Sequence, residues 1–229
     1  ACFRVMAEIS KQLGKDGNVY RQEYKKLTAA IEKFFWDEEK GAYIDSFTSG
    51  KRNVTRHANI FAILFDIADK QKQEKILKNV LENDEIPAIT TPYFNFFELD
   101  VLCQMGKLTE VLDKIRSYWG GMLDLGAVTF WEEYDPSVPK EEQYDMYGDH
   151  FGKSLCHAWA ASPIYFLAKY FAGLDLVNKD GVTYVLKPQM QYFTDLDCIL
   201  PVGSDGTVRL AWDGECLEVT ADAEGGVLE

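Results

Sequence analysis

Apolar residues recur every three or four positions through most of the first 173 residues, and this spacing is typical of amphipathic helices. The polar positions between them predict one solvent-facing side for most of these helices. The pattern predicts seven helices, at about 3–14, 18–36, 53–68, 69–81, 92–106, 108–119 and 153–171. Most of the connections are short, so we expect successive helices to be antiparallel neighbours.

Local signals support several helix ends. Gly14 and Gly106 follow the last periodic positions of two helices, where glycine is a common C-terminal residue. Asp69 precedes the fourth helix as a candidate N-cap, and Pro92 falls in the first turn of the fifth. Similar lengths and a hairpin spacing of about 35–50 residues indicate a repeated helical unit. An α/α toroid and a solenoid such as tetratricopeptide repeats both fit, although no tetratricopeptide consensus is present.

The periodicity changes to two near Val182. Alternating segments separated by Ser-Asp-Gly and Trp-Asp-Gly turns predict four or five short antiparallel strands. The fold class is therefore mainly α, followed by a small antiparallel β module. We expect one domain at 1–173 and an incomplete β module at 174–229.

Composition narrows the function classes. The chain has 229 residues, a hydrophobic fraction of 47% and a formal net charge of −13. Such acidity opposes a nucleic-acid partner, and no apolar stretch is long enough to predict membrane insertion. Five widely spaced cysteines form neither a zinc pattern nor a disulfide framework, and no nucleotide-binding motif occurs. We predict no metal and no cofactor.

The candidate chemistry lies in a long connection at 120–152. Its segment 126–135, GAVTFWEEYD, contains Trp131, Glu132, Glu133 and Tyr134. If this segment is extended, Glu132 and Tyr134 point to one side and Glu133 to the other. A carboxylate beside an aromatic ring suits sugar chemistry, but a solvated acidic loop is the simpler interpretation.

His157 lies in the sequence SLCHAW, close to that loop along the chain. A hydrogen-bonded core histidine and a ligand contact are both consistent with this position. Trp119, Trp131 and Trp159 are candidates for stacking on a sugar face, and each is also an ordinary core residue.

These segments resemble one family. GAVTFWEEYD followed by SLCHAWAASPIYFLAKYFAGL resembles the C-terminal half of the catalytic domain of bacterial α-L-rhamnosidases, glycoside hydrolase family 78. FFWDEEKGAYID, RHANIFAILF and TPYFNFFELDVLCQMGK extend the resemblance over essentially the whole chain. It implies an (α/α)₆ toroid followed by a β-sandwich-like domain. The implied reaction is hydrolysis of terminal α-L-rhamnosyl groups, with inversion, from rhamnose-containing glycosides or polysaccharides.

The resemblance also implies roles for single residues. Glu132 corresponds to the general base, and His157 to a contact with the sugar hydroxyls. Trp131 corresponds to the tryptophan beside the base. Tyr134, on the same side as Glu132 if the segment is extended, is a further candidate substrate contact.

The 229 residues depart from the family in one respect, because they contain no D-x-P-x-R-x-E-R stretch, where the family has its general acid. We therefore expect a fragment that is inactive or nearly inactive alone. Exposed inner helix faces would favour dimerisation. Another (α/α)₆ glycosidase or lyase, and a non-catalytic helical-repeat binding module, are the alternative hypotheses.

Overall fold

The computed structural model describes residues 1–177, 183–222 and 226–228. The chain forms two compact units, Ala1–Ile89 and Thr90–Glu229. The predicted mainly-α fold with a small β module is confirmed. The predicted domain division at residue 173 remains a prediction.

The first unit contains four α-helices and a two-stranded turn. In chain order its elements are α1 (Cys2–Gln12), α2 (Asn18–Phe35), β1 (Trp36–Asp37), β2 (Ala42–Tyr43), α3 (Arg56–Leu64) and α4 (Lys70–Ile76), which continues as a π-helical turn at Leu77–Leu81. The predicted cap of α4 is confirmed, because Asp69 accepts a hydrogen bond of 2.9 Å from the backbone N–H of Lys72. Helix α3 packs against β2 and against the π-helical turn.

In the first helical hairpin, α1 does not bury the face on which its apolar residues recur. Helices α1 and α2 contact each other, and the buried residues of α1 are Ala7 and Ser10. The apolar residues that recur at three- and four-residue spacing in α1 are exposed, namely Phe3, Met6, Ile9 and Leu13. The small residues Ala7 and Ser10 of α1 are covered, while its larger side chains remain exposed.

The first helix of the second unit begins at Pro92, as the sequence predicts. Its helices are α5 (Pro92–Gln104), α6 (Leu108–Lys114), a π-helical turn at Ile115–Trp119, α7 (Gly120–Asp124) and α8 (Ser162–Phe166), which continues as a π-helical turn at Leu167–Phe171. Helix α5 contacts both α6 and α8. Of the apolar residues that recur along it at helical spacing, Leu99, Leu102 and Cys103 are buried and Phe96 is half-buried. No helix in the described part of the chain combines the length and apolarity needed to cross a membrane.

The prediction of one long helix at 153–171 is wrong in its first half. Residues 153–157 are not helical, Ala158–Ala160 form a 3₁₀ turn, and α8 begins at Ser162. Pro163 explains the difference, because proline fits the first turn of a helix and disrupts the interior. His157 therefore lies in extended backbone, with φ −123° and ψ 110°.

Two three-stranded sheets follow the last helix. The strands are β3 (Leu174–Leu176), β4 (Tyr184–Leu186), β5 (Leu196–Val202), β6 (Gly206–Trp212), β7 (Leu217–Ala221) and β8 (Gly226–Leu228), in the orders β3-β4-β8 and β5-β6-β7. The pairing is antiparallel except for β4 with β8, which is parallel among the described strands. Their core contains Ala172, Tyr184, Leu186, Leu200, Val202, Val208 and Leu210. Val182, where the β pattern was predicted to begin, lies outside the described residues.

Candidate functional site

Backbone hydrogen bonds hold the acidic segment beside the chain that precedes α8. The N–H of Glu132 donates to the carbonyl of Ser154 at 2.9 Å, and the N–H of His157 donates to the carbonyl of Phe130 at 2.8 Å. Residues 126–135 contain no β-strand, and the alternation of side chains along them stays a prediction. These two bonds bring Glu132 and His157 together, although 25 positions separate them in the sequence.

Glu132 is a nearly buried carboxylate with two oriented donors. The residue is 8% exposed. Its Oε1 accepts a hydrogen bond of 2.9 Å from the Tyr147 hydroxyl, and its Oε2 accepts one of 3.2 Å from the backbone N–H of Ser154. Because each oxygen accepts from its own donor, the two contacts fix the orientation of the carboxyl group.

His157 lies beside this carboxylate without bonding to it. Its Nδ1 is 3.8 Å from Glu132 Oε2, which is too long for a hydrogen bond. This nitrogen has no hydrogen-bond partner among the described residues. The imidazole ring packs on Trp159, with ring centroids 4.1 Å apart. The tryptophan packs on the ring, and Nδ1 is a buried polar atom beside the carboxylate.

Glu133 has different partners. Its Oε1 accepts a hydrogen bond of 2.8 Å from the Thr90 hydroxyl, and its Oε2 is 4.0 Å from the ammonium of Lys153. The side chain of Lys153 is 4% exposed. Burial lowers the pKa of Lys153, whereas the carboxylates of Glu133, Asp135, Asp145 and Glu132 raise it in part. Both carboxylate oxygens of Glu133 therefore interact with other side chains of the protein.

The two predicted aromatic contacts are both packed against protein. Trp131 is 3% exposed and contacts Tyr144 with ring centroids 5.6 Å apart. Tyr134 contacts Tyr118 at 5.5 Å and lies so close to Gly121 that an added Cβ there would be 2.6 Å from its Cζ. The structure therefore places both rings where they support the loop. Their predicted role in substrate binding stays a prediction.

The more accessible rings near the carboxylate belong to other residues. Trp159 is 50% exposed, and its ring contacts Tyr93 at 5.3 Å on α5 as well as His157. Tyr147 is also exposed, and its positive φ of 56° is rare for a residue other than glycine. An exposed ring beside a buried carboxylate can contact both a flat ligand face and the reacting group.

Sequence reasoning missed three of the residues around Glu132 and Glu133. Tyr147 and Ser154 are the donors to Glu132, and Lys153 is the buried cation near Glu133. None of them belongs to a motif with a recognisable spacing. Among the described residues, no group of three or more His, Cys, Asp or Glu side chains is arranged to hold a metal ion.

The arrangement can accept a proton. Glu132 combines a held carboxylate with an adjacent imidazole, which suits a general base acting on a water molecule near a polar ligand. The family described as the bacterial alpha-L-rhamnosidase 6 hairpin glycosidase domain matches residues 1–171, a range that contains all of these groups. No curated protein matches the chain significantly.

Solved structures of rhamnosidases resemble this one. The GH78 family rhamnosidase of Bacillus sp. GL1 is 25% identical with a TM-score of 0.78, over 93% of this chain and 23% of that chain. A rhamnosidase from Klebsiella oxytoca with rhamnose bound is 30% identical with a TM-score of 0.63, over 74% of this chain and 32% of that one. The α-L-rhamnosidase from Dictyoglumus thermophilum, 22% identical with a TM-score of 0.67 over 92% of this chain and 23% of that one, shares the fold. The chain thus spans about a quarter to a third of the length of these relatives.

Proposed function

Since this chain belongs to the bacterial alpha-L-rhamnosidase 6 hairpin glycosidase family, we propose that it is part of an inverting α-L-rhamnosidase. The enzyme removes terminal α-L-rhamnose from glycosides or polysaccharides. The main support is the geometry of Glu132, a nearly buried carboxylate held by Tyr147 and Ser154 beside His157. The rhamnose bound to the relative from Klebsiella oxytoca supports the choice of sugar.

Glu132 acts as the general base in this proposal. Inverting glycosidases use one carboxylate to remove a proton from water while a carboxylic acid about 6.5–9.5 Å away protonates the leaving oxygen. The water oxygen attacks the anomeric carbon from the face opposite the leaving group, and its proton passes to Glu132. The bond to the aglycone oxygen breaks as the acid protonates it, so the product carries the inverted anomeric configuration.

The remaining groups bind the sugar and orient the loop that carries the base. The imidazole of His157, whose side chain is 25% exposed, contacts a sugar hydroxyl close to Glu132. Trp131 and Tyr134 hold the loop that carries the base and border the sugar site.

The general acid belongs to sequence outside these 229 residues, because the family's acid motif is absent from them. In this proposal the helices contribute to an (α/α)₆ toroid, with 1–173 belonging to the catalytic domain and 174–229 to a β-sandwich-like module. We expect the 229-residue chain alone to be inactive or nearly so. Its exposed helix faces also favour a homodimer, which light scattering would detect as twice the monomer mass.

Turnover by the full-length protein tests the proposal. We expect hydrolysis of an aryl α-L-rhamnoside, and proton NMR should show the β-anomer of rhamnose before mutarotation. Aryl α-L-fucoside, aryl α-D-mannoside and aryl β-D-glucoside serve as matched substrates, for which we expect rates at least a hundredfold lower. Preference for one of these sugars would contradict the rhamnosidase proposal. Appearance of the α-anomer first would contradict inversion.

A further inference from the structure

Tyr147 is an exposed aromatic residue whose backbone adopts an unfavourable conformation. Its φ is 56°, and 81% of the residue is exposed. Positive φ costs free energy for an L-residue with a side chain, and an exposed ring gains little from burial to offset that cost. Such outliers concentrate at functional sites, where the surrounding structure holds them in place. The stability of the fold therefore gives no reason for a tyrosine at this position.

A tight turn holds the backbone of Tyr147. The N–H of Met146 donates to the carbonyl of Asp149 at 3.0 Å, and the N–H of Asp149 donates to the carbonyl of Met146 at 3.0 Å. Between them, Tyr147 and Gly148 have φ values of 56° and 82°. Two central residues at positive φ are typical of type I′ turns, which favour Asn-Gly or Gly-Gly. Glycine would therefore suit the turn better than Tyr147 does.

The hydroxyl of Tyr147 anchors the other end of the side chain. It donates the 2.9 Å hydrogen bond to Oε1 of Glu132. The ring is thus fixed at its backbone and at its hydroxyl, directly beside the candidate base. Among the described residues, no other ring and no cation packs against it, whereas Trp159 packs against both His157 and Tyr93. Tyr147 therefore presents apolar ring surface to solvent next to the carboxylate.

We propose that Tyr147 is a sugar-binding residue, whose ring packs against the apolar C–H surface of the sugar unit on which Glu132 acts. An exposed tyrosine ring supplies a large and rigid contact area at a low cost in conformational entropy. A 6-deoxyhexose such as rhamnose adds a methyl group to that apolar surface. The identity of the sugar rests on the proposed function, but the contact itself requires only a sugar bound beside Glu132.

Sugar affinity and stability of the full-length protein test the contact together. Tyr147→Gly removes the ring and relieves the positive φ, so we expect its thermal unfolding midpoint to be at least as high as that of Tyr147→Ala. Calorimetry should show that both variants bind rhamnose about five- to tenfold more weakly than wild type, because an aromatic contact is lost. A purely structural role would instead lower stability and leave the affinity unchanged.

Tyr147→Phe separates the ring from the hydroxyl. This variant keeps the ring and loses the hydrogen bond to Glu132. We expect its rhamnose affinity to stay within about twofold of wild type, which assigns the loss in Tyr147→Gly to the ring. A loss in Tyr147→Phe as large as that in Tyr147→Gly would overturn the proposal, because the hydroxyl alone would then explain it.

Phe151→Ala is the matched control. Phe151 is 75% exposed in the same loop, but its ring packs on His150 and Tyr144, and it has no hydroxyl to bond to Glu132. We expect its rhamnose affinity to stay within about twofold of wild type. Equal losses in Phe151→Ala and Tyr147→Ala would overturn the proposal, since a general disturbance of the loop would account for both.

Turnover separates this inference from the proposed function. If the full-length protein hydrolyses an aryl α-L-rhamnoside and Tyr147→Gly leaves KM and rhamnose affinity unchanged, the contact is refuted and the rhamnosidase proposal stands. If the protein hydrolyses an aryl glycoside of another sugar instead, a KM for that glycoside about five- to tenfold higher in Tyr147→Gly supports the contact and refutes the choice of rhamnose.

Discussion

At the scale of single residues, two adjacent glutamates have different surroundings. Glu132 is held by the Tyr147 hydroxyl and the Ser154 N–H, whereas Glu133 is held by Thr90 and faces Lys153. The choice of Glu132 came from the family resemblance, and composition alone did not distinguish the two. The donors around Glu132 were not predictable, because tertiary contacts bring them from different parts of the loop.

We predict that His157→Ala in the full-length protein mainly weakens substrate binding. The imidazole lies beside Glu132, with Nδ1 3.8 Å from Oε2, and its side chain is 25% exposed, so the ring can contact a sugar hydroxyl next to the base. Loss of one hydrogen bond to a neutral group should raise KM about tenfold, with a smaller change in kcat. Steady-state kinetics on an aryl α-L-rhamnoside measure both constants. Unchanged KM and kcat would rule out the contact.

At the scale of elements, the turn between β1 and β2 depends on one carboxylate. Asp37 is buried, accepts backbone hydrogen bonds from Glu39 and Lys40 at 3.0 and 3.1 Å, and accepts one of 2.7 Å from Arg52 Nε. The hydrogen bond from Arg52 is the main reason that the pKa of Asp37 is lowered, and the two backbone N–H groups add to it. Because the pKa is lower in the folded state, the stabilisation is present above the unfolded value of about 4.

We predict that Asp37→Asn lowers the free energy of unfolding by about 1–2 kcal/mol at pH 7. The difference from wild type should shrink as the pH falls below about 4 and through the folded-state pKa, because Asp37 then becomes protonated in both states. Urea unfolding at several pH values measures this difference. Asp84→Asn, at an exposed position, is the control and should change stability little at any pH. A pH-independent loss in Asp37→Asn would contradict the electrostatic explanation.

The junction between the last helical turn and β3 requires glycine. Gly173 has a φ of 75°, and an added Cβ would lie 2.7 Å from the backbone N of Lys187, whose N–H donates to the Gly173 carbonyl at 3.0 Å. Both the backbone conformation and the close approach exclude a side chain. The sequence predicted the end of the helical region here, but not the contact with Lys187.

We predict that Gly173→Ala lowers the free energy of unfolding by about 2 kcal/mol or more. Gly120→Ala is the matched control, because Gly120 has helical backbone angles and no atom within 4 Å of an added Cβ. That substitution should be neutral or stabilise by about 0.5–1 kcal/mol. Denaturant unfolding compares the two, and equal effects would contradict the role assigned to Gly173.

At the scale of the whole molecule, periodicity was enough to predict most helices and four of the strands. It failed at 153–157. Pro163 fixes the start of α8, and the residues before it form backbone hydrogen bonds with the acidic segment instead of a helix. It also failed for burial in α1, because spacing identifies an apolar face without showing what covers it. The short strands β3 and β8 were missed, since three residues give too little alternation to recognise.

The most direct test compares Glu132→Gln with Glu133→Gln in the full-length protein, using kcat on an aryl α-L-rhamnoside and rhamnose binding by calorimetry. We predict that Glu132→Gln lowers kcat by at least about 10²–10⁴-fold and leaves rhamnose affinity largely intact, because the amide cannot accept the proton from water. We expect Glu133→Gln to stay within about tenfold of wild type, because Glu133 contacts only the protein's own side chains in the site described. A near wild-type kcat in Glu132→Gln would contradict the assignment of the base.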